Sequence, residues 1–348
     1  MLLALVVAFC MALSAGQALA DQVNCGDTLT RDTRLHSDLN CAGSGLIIGA
    51  DNVRLDLNGH TVAGADGEES VGIEVASRHG VTVRNGVIRN FQIGIRLTDA
   101  RHALLRKLTL IDTSVFGMLL VNANGNSIQA NRVFHTGDDH GIAGILFFQS
   151  NNNEVSRNLL SRNGDGISLA QSDANSIRRN VSSDSGAGVG LFDGSSGNVV
   201  EHNVTNRNSD TGILLDGHAD KNRIKSNLAS GNAFAGIAVG ASDDNQVRHN
   251  ITNRNPGGGI AVVDNAIGTV VEGNEANHNG AIPPGCVPDC PLLDDGIHVD
   301  APVTVLTRNT ANYNHDLGIQ AVPGVTDGGG NKARGNGNPA QCTNINCR

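Results

Sequence analysis

The sequence predicts an all-β chain wound into a parallel β-solenoid of about twelve coils. Three observations lead there. A glycine followed by an apolar-x-apolar triplet recurs twelve times, from "GLII" at Gly45 through "GISL" at Gly166 and "GILL" at Gly212 to "GIQA" at Gly318. The successive steps are 27, 22, 23, 27, 22, 22, 24, 24, 23, 37 and 22 residues. A second pattern, apolar-x-x-Asn, ends at Asn131, Asn158, Asn180, Asn203, Asn227, Asn250 and Asn274, and Asn returns five residues later at Asn163, Asn208, Asn232, Asn255 and Asn279. Finally, 44 glycines stand beside only 3% aromatics, so the core must be built from small aliphatics rather than rings.

A fixed period of this length marks a repeat architecture, in which each unit buries its apolar face only by stacking on the next. The alternating triplets read as short strands and the Gly, Asn, Asp and Ser clusters as turns. Inward Ile, Val and Leu are expected to form ladders. Inward Asn at a turn can bond the backbone and its counterpart one coil away, and glycine is expected to supply positive φ at the corners. At about 4.8 Å per coil, twelve coils make a rod of roughly 58 Å.

Taken in order, residues 1–20, "MLLALVVAFCMALSAGQALA", read as a signal peptide. Residues 21–44 read as an N-terminal cap, 45–325 as the solenoid, and 326–348 as a loosely packed C-terminal strap. Past the opening segment no long apolar run remains that would span a membrane. Without Cys10, six cysteines are left, an even number suited to disulfides in an exported chain. Fifteen pairings exist; the close pairs Cys25–Cys41, Cys286–Cys290 and Cys342–Cys347 are the expected ones. The formal charge of −9 and a pI near 5.7 argue against nucleic acid as a partner, which needs a basic face. The expected location is secreted, periplasmic or at the cell surface.

The recurring "NxVxxNxxxxNxxGIxL" resembles the right-handed parallel β-helix repeat family, over Gly45 to Val325. That family includes pectate-lyase-like and polygalacturonase-like enzymes, alginate epimerases and periplasmic copper-accessory proteins. The resemblance implies the fold and an extracellular, acidic polysaccharide as partner, bound or processed by a lyase, epimerase or hydrolase. Activity itself belongs to sites grafted on the fold. A non-catalytic rod for adhesion or glycan binding is the alternative. Too few Met and too scattered His stand against a copper role.

Two insertions fall in the turn before the glycine row, and insertions in repeats go to loops. The first, "HTGDDHG", offers Asp138, Asp139 and His140; it resembles the paired aspartates of polygalacturonase-like hydrolases, where acid and base flank the bond. The further "NTDG" and "GHG" elements of those enzymes are missing. The second, Gly280 to Asp295, lies beside Arg254, His278 and Tyr313, which occupy one slot on successive coils. Arg, His and Tyr together with Asp295 supply the cation, base and proton donor that a polyuronate lyase or epimerase uses. The Asp-Pro-His signature of alginate epimerases is absent. No cofactor is indicated with certainty, but turn acids at Asp112, Asp165, Asp184 and Asp210 are a donor type that binds calcium. A basic line also runs along the coils. Arg84, Arg157, Arg179, His202, His249 and Arg308 each precede a first-row Asn, and Arg89, Arg162, Arg207 and Arg254 a second-row one. It suits a polyanionic chain or, more plainly, pairing with the turn aspartates.

Overall fold

A computed structural model describes residues 22–136, 142–263, 266–281 and 294–348. The N-terminal twenty residues, Asp138, Asp139 and His140, and Cys286 with Cys290 lie outside the described residues. Among those described, every strand pairing is parallel and there is no helix, so none that could cross a membrane.

The glycine-row triplets form one long wall, a sheet of thirteen strands from Thr28–Leu29 through Ile213–Leu215 to Ile319–Ala321. The rest of each coil forms a second, bent wall. Its two short strands pair only with their equivalents on adjacent coils: Ser176–Arg178 with Val199–Glu201, and Val181–Ser183 with Val204–Asn206. In an early coil the two run together as Leu104–Thr113, which pairs with both Ser127–Gln129 and Arg132–Thr136. Alternation within each strand points every second side chain inward. The inward positions carry Ile95, Leu105, Ile128, Ile177, Ile224 and their equivalents, all fully buried.

Inward corners place backbone polar groups in this apolar interior, where an unbonded one costs roughly 1–3 kcal/mol. Asparagine resolves this. The Asn180 backbone N–H donates to Asn203 Oδ1 at 2.9 Å; its Nδ2 donates to the same oxygen at 3.1 Å and to the Val155 carbonyl of the preceding coil at 2.9 Å. Its own Oδ1 accepts the two equivalent bonds from Asn158. Each asparagine thus ties three coils together with no polar atom left over. The two expected rows behave this way, the first running without a break from Asn131 to Asn331. A third ladder, not anticipated, climbs through Asn126, Asn153, Asn175, Asn198, Asn222 and Asn245, five residues before the first row. It ends where Thr269 and Thr304 take the slot with buried, unbonded hydroxyls. The glycosylation-type sequons at Asn203 and Asn250 are ladder members, each 1% exposed.

The glycine row departs from expectation. These glycines do not have positive φ; they are required by close approach. A Cβ on Gly212 would lie 2.5 Å from the Gly236 carbonyl oxygen and 2.7 Å from Asn232 Nδ2. Positive φ belongs to the residue just before a ladder asparagine, and mostly to non-glycine residues: Arg157 (φ 57), Arg179 (53), Arg254 (56), His278 (57) and Tyr313 (57).

Both ends carry a disulfide, Cys25–Cys41 and Cys342–Cys347. The tail is no loose strap. Thr326–Gly329 pairs with Val305–Thr307 and Lys332–Arg334 with Thr310–Asn312, continuing the coil.

Replacing Asn180 with Ala takes the asparagine partner from the buried Asn158 N–H and Val155 C=O of the preceding coil and is expected to destabilise the protein by about 2–5 kcal/mol. The outward-facing Gln246→Ala should stay within about 0.5 kcal/mol. Equal denaturation midpoints for the two variants would refute the ladder's role.

Candidate functional site

The slot before the second-row asparagine forms an exposed column on consecutive coils. Asp112, His135, Arg162, Asp184 and Arg207 lie on its early coils. His135 Nδ1 meets Asp112 Oδ1 at 3.3 Å, and Arg162 meets His135 Nε2 at 3.1 Å. Arg207 grips Asp184 with two bonds, at 2.9 and 2.8 Å, and thereby holds that carboxyl below its ordinary range. This stretch therefore pairs arginine with turn aspartate. The remaining turn acids, Asp165 and Asp210, lie elsewhere on the coil, so the acids do not form one line.

Past Gly231, the column continues as Arg254, His278 and Tyr313. Their backbone N–H groups donate to the next coil at 3.0–3.1 Å, which keeps them in register. The His278 and Tyr313 rings stack, with centroids 5.2 Å apart and planes 15° apart. Gly335 on the following coil, at φ 67, would place a Cβ 2.7 Å from the Tyr313 ring, so the glycine lets the ring lie close over the backbone. Tyr313 is 51% exposed. The structure thus brings His278 and Tyr313 together and puts Arg254 one coil away.

Asp295 enters a different arrangement. His298, on the outward face of strand Ile297–Val299, places Nδ1 2.9 Å from Asp295 Oδ2 and Nε2 2.9 Å from Asp300 Oδ2. His298 is 7% and Asp295 1% exposed, whereas the Asp300 side chain is half open to solvent. The second Asp295 oxygen accepts the Leu317 N–H at 2.9 Å. Ala261 is the neighbour of His298 on the preceding strand, within a patch that includes Ala235 and Ala238. Burial drives the His298 pKa down, but the carboxylates on both ring nitrogens outweigh it and hold the imidazole above its ordinary value. Burial likewise pushes the Asp295 carboxyl up, against the bonds from His298 and Leu317. The cluster thereby favours the protonated imidazole.

The sequence alone assigned no role to His298 or Asp300. The i, i+2 spacing of His298 and Asp300 on a strand was a usable signal for a shared face. A smaller version recurs five coils earlier, where Ser168 donates to Asp165 at 2.8 Å and burial raises the Asp165 carboxyl.

Carboxylate oxygens of Asp294, Asp295 and Asp316 lie within 4.8 Å of one another, a donor set suited to a hard cation such as calcium. His315 Nδ1 stands 3.4 Å from Asp294 Oδ2.

The basic line is corrected by register. Arg84 pairs with Arg106, and Arg89 with Ile111, inside strands, so both lie one position away from the corner columns. Arg84 instead engages Asp56 at 2.9 Å.

Because the folded chain binds the His298 proton more tightly than the unfolded one, this contribution is complete below about pH 6.5 and falls as pH rises through the folded value. The stability difference between the wild type and His298→Gln should therefore shrink from pH 6 to 8. A difference that grows over that window in thermal melts would overturn the assignment.

Comparison with curated proteins finds no sequence match. Among solved structures, the mannuronan C-5 epimerase AlgE4 A-module of Azotobacter vinelandii aligns at TM-score 0.60 and 18% identity, over 92% of this chain and 91% of that one. The Dettilon tailspike protein aligns at 0.66 and 15%, over 88% of this chain but only 61% of its own. The catalytic domain of a GH87 α-1,3-glucanase, in complex with nigerose, aligns at 0.53 and 12%, over 91% and 64%. These likenesses concern the fold. The family model described as right handed beta helix region matches residues 37–181, 71–229 and 143–338 in overlapping stretches, and with its parallel coils and stacked asparagine ladders the chain belongs to the right-handed β-helix family.

Proposed function

We propose that the protein acts on an acidic polysaccharide outside the cytoplasm, as a lyase or epimerase, at the corner that carries the second insertion. The observation that carries this reading is the Asp295–His298–Asp300 cluster on the outward face of the long sheet, with Asp295 and His298 buried and Asp300 open to solvent. A nearly desolvated imidazole held by two carboxylates beside the alanine patch of the preceding strands is stability spent on chemistry rather than on packing.

Asp295 orients the ring through Nδ1, as a buried carboxylate does for a catalytic histidine. Asp300 is the solvent-facing partner of Nε2. A sugar displacing it would meet a protonated imidazole in position to donate. On each coil the column of Arg254, His278 and Tyr313 comes before the turn into the long sheet, and it supplies a phenol and a cation for a uronate carboxylate. That relatives in fold include enzymes named for alginate, mannuronan and α-1,3-glucan supports a sugar polymer. Two disulfides fit an oxidising compartment.

The test incubates the protein with pectate, alginate and other polyuronates, with and without calcium, and follows the products by proton NMR. New signals from unsaturated ends or inverted C5 centres are expected, with rates about 100-fold or more lower in a folded His298→Gln variant. Unchanged spectra across the panel would sink the reading and leave a glycan-binding rod.

A further inference from the structure

The second wall carries a cleft of about 270 Å³ lined by Gln129, Glu154, Ser156, Arg157, Arg178 and Arg179. It spans three consecutive coils. Gln129, Ser156 and Arg178 are register partners on adjacent strands. Arg157 and Arg179 are corner residues, the Arg157 N–H bonding the Arg178 carbonyl. Ser156 is small and 5% exposed, and its hydroxyl is turned to Glu154 at 3.0 Å. The space therefore opens between longer side chains.

Its charge is unbalanced. Arg178 engages the one carboxylate, Glu154, at 2.7 Å and holds it below its ordinary range. The guanidinium groups of Arg157 and Arg179 have no hydrogen bond or ion pair among the described residues. One coil earlier, Arg106 is the register partner of Gln129 and has a buried, unbonded Nε. The backbone does not ask for arginine at these corners. Arg157 and Arg179 sit at φ 57 and 53, a conformation that disfavours most side chains by roughly 1–2 kcal/mol. Gly273 and Gly330 occupy the same column further along, where that penalty vanishes. A cation retained where glycine suits the backbone better, on a chain of net charge −9, points to a ligand.

We propose that this cleft is an anchoring site for the anionic groups, carboxylate or sulfate, of a sugar chain, on a wall distinct from the His298 corner. Arginine forks suit such planar or tetrahedral anions. Cationic side chains repeating at the coil spacing of about 4.8 Å suit charges repeated along a polymer better than a single free anion. The proposal extends the acidic-polysaccharide reading but rests on its own residues.

The experiment measures fluorescence anisotropy of labelled oligogalacturonate and labelled dextran sulfate with the full protein, using neutral dextran, inorganic sulfate and an oligonucleotide as competitors. The Arg157→Ala/Arg179→Ala double variant is the probe, since Ala130 already occupies this column at φ 52. Tight, salt-sensitive binding of at least one anionic chain is expected, weakened about tenfold or more in the double variant and unchanged in His298→Gln. Whichever chain binds more tightly identifies the charged group. Absent binding, or equal affinity in the double variant, would overturn the proposal, as would competition by neutral dextran, sulfate or the oligonucleotide as effective as by the labelled chain. Loss of polyuronate turnover in His298→Gln with binding retained would confirm the two sites as separate. Binding without any turnover would count against the corner chemistry alone.

Discussion

The bond from a ladder asparagine's backbone N–H to the side-chain oxygen of the next asparagine is what the rest of the molecule depends on. A solenoid coil must turn its backbone within an interior where water is absent, and each turn would strand a donor and an acceptor. The asparagine side chain supplies both partners and passes the same demand to the next coil, so the ladder is self-propagating. Where the third ladder gives way to Thr269 and Thr304, the hydroxyls stand unbonded. A hydroxyl is too short to reach both the neighbouring amide and the carbonyl behind it.

The surface follows from this. To aim an asparagine inward, the residue before it takes a left-handed backbone and projects outward. That generates exposed columns at coil spacing, in which sequence-distant residues become neighbours: Arg207 with Asp184, Tyr313 with His278. The ladder also explains why an insertion is tolerated. Asn279 bonds Asn314 across 35 residues with the same geometry as elsewhere. On the far side of the insertion His298 stays in register with Ala261.

Charge is distributed by wall. The long sheet is apolar and small-residued on the side of His298 that faces Ala261, and Asp295 and His298 are buried there. The second wall carries its arginines at the solvent edge, some paired with Asp56 or Glu154 and some not. A negative net charge and a locally positive cleft coexist because the columns segregate side chains that the linear sequence intermixes.

Period, parallel coils and inward residues were legible in the sequence because each depends on local spacing repeated many times, and the two end disulfides because their cysteines stand close in sequence. The third asparagine ladder was not anticipated, although it stands at the same five-residue interval before the first. The chemistry-bearing contacts were not legible. His298 and Asp300 share a face by simple alternation, but Asp295, three residues before His298, would face away in a straight strand; the corner before Ile297 turns it back. Arg84 precedes an asparagine as Arg157 does, yet its strand runs on through the corner and shifts its register. The row glycines looked like turn residues, and only the approach of the next coil's carbonyl revealed them as packing residues. The sequence by itself determined the coil, since repetition averages out local ambiguity. Only the tertiary structure decided the site, since a few side chains meeting once depend on a single bend.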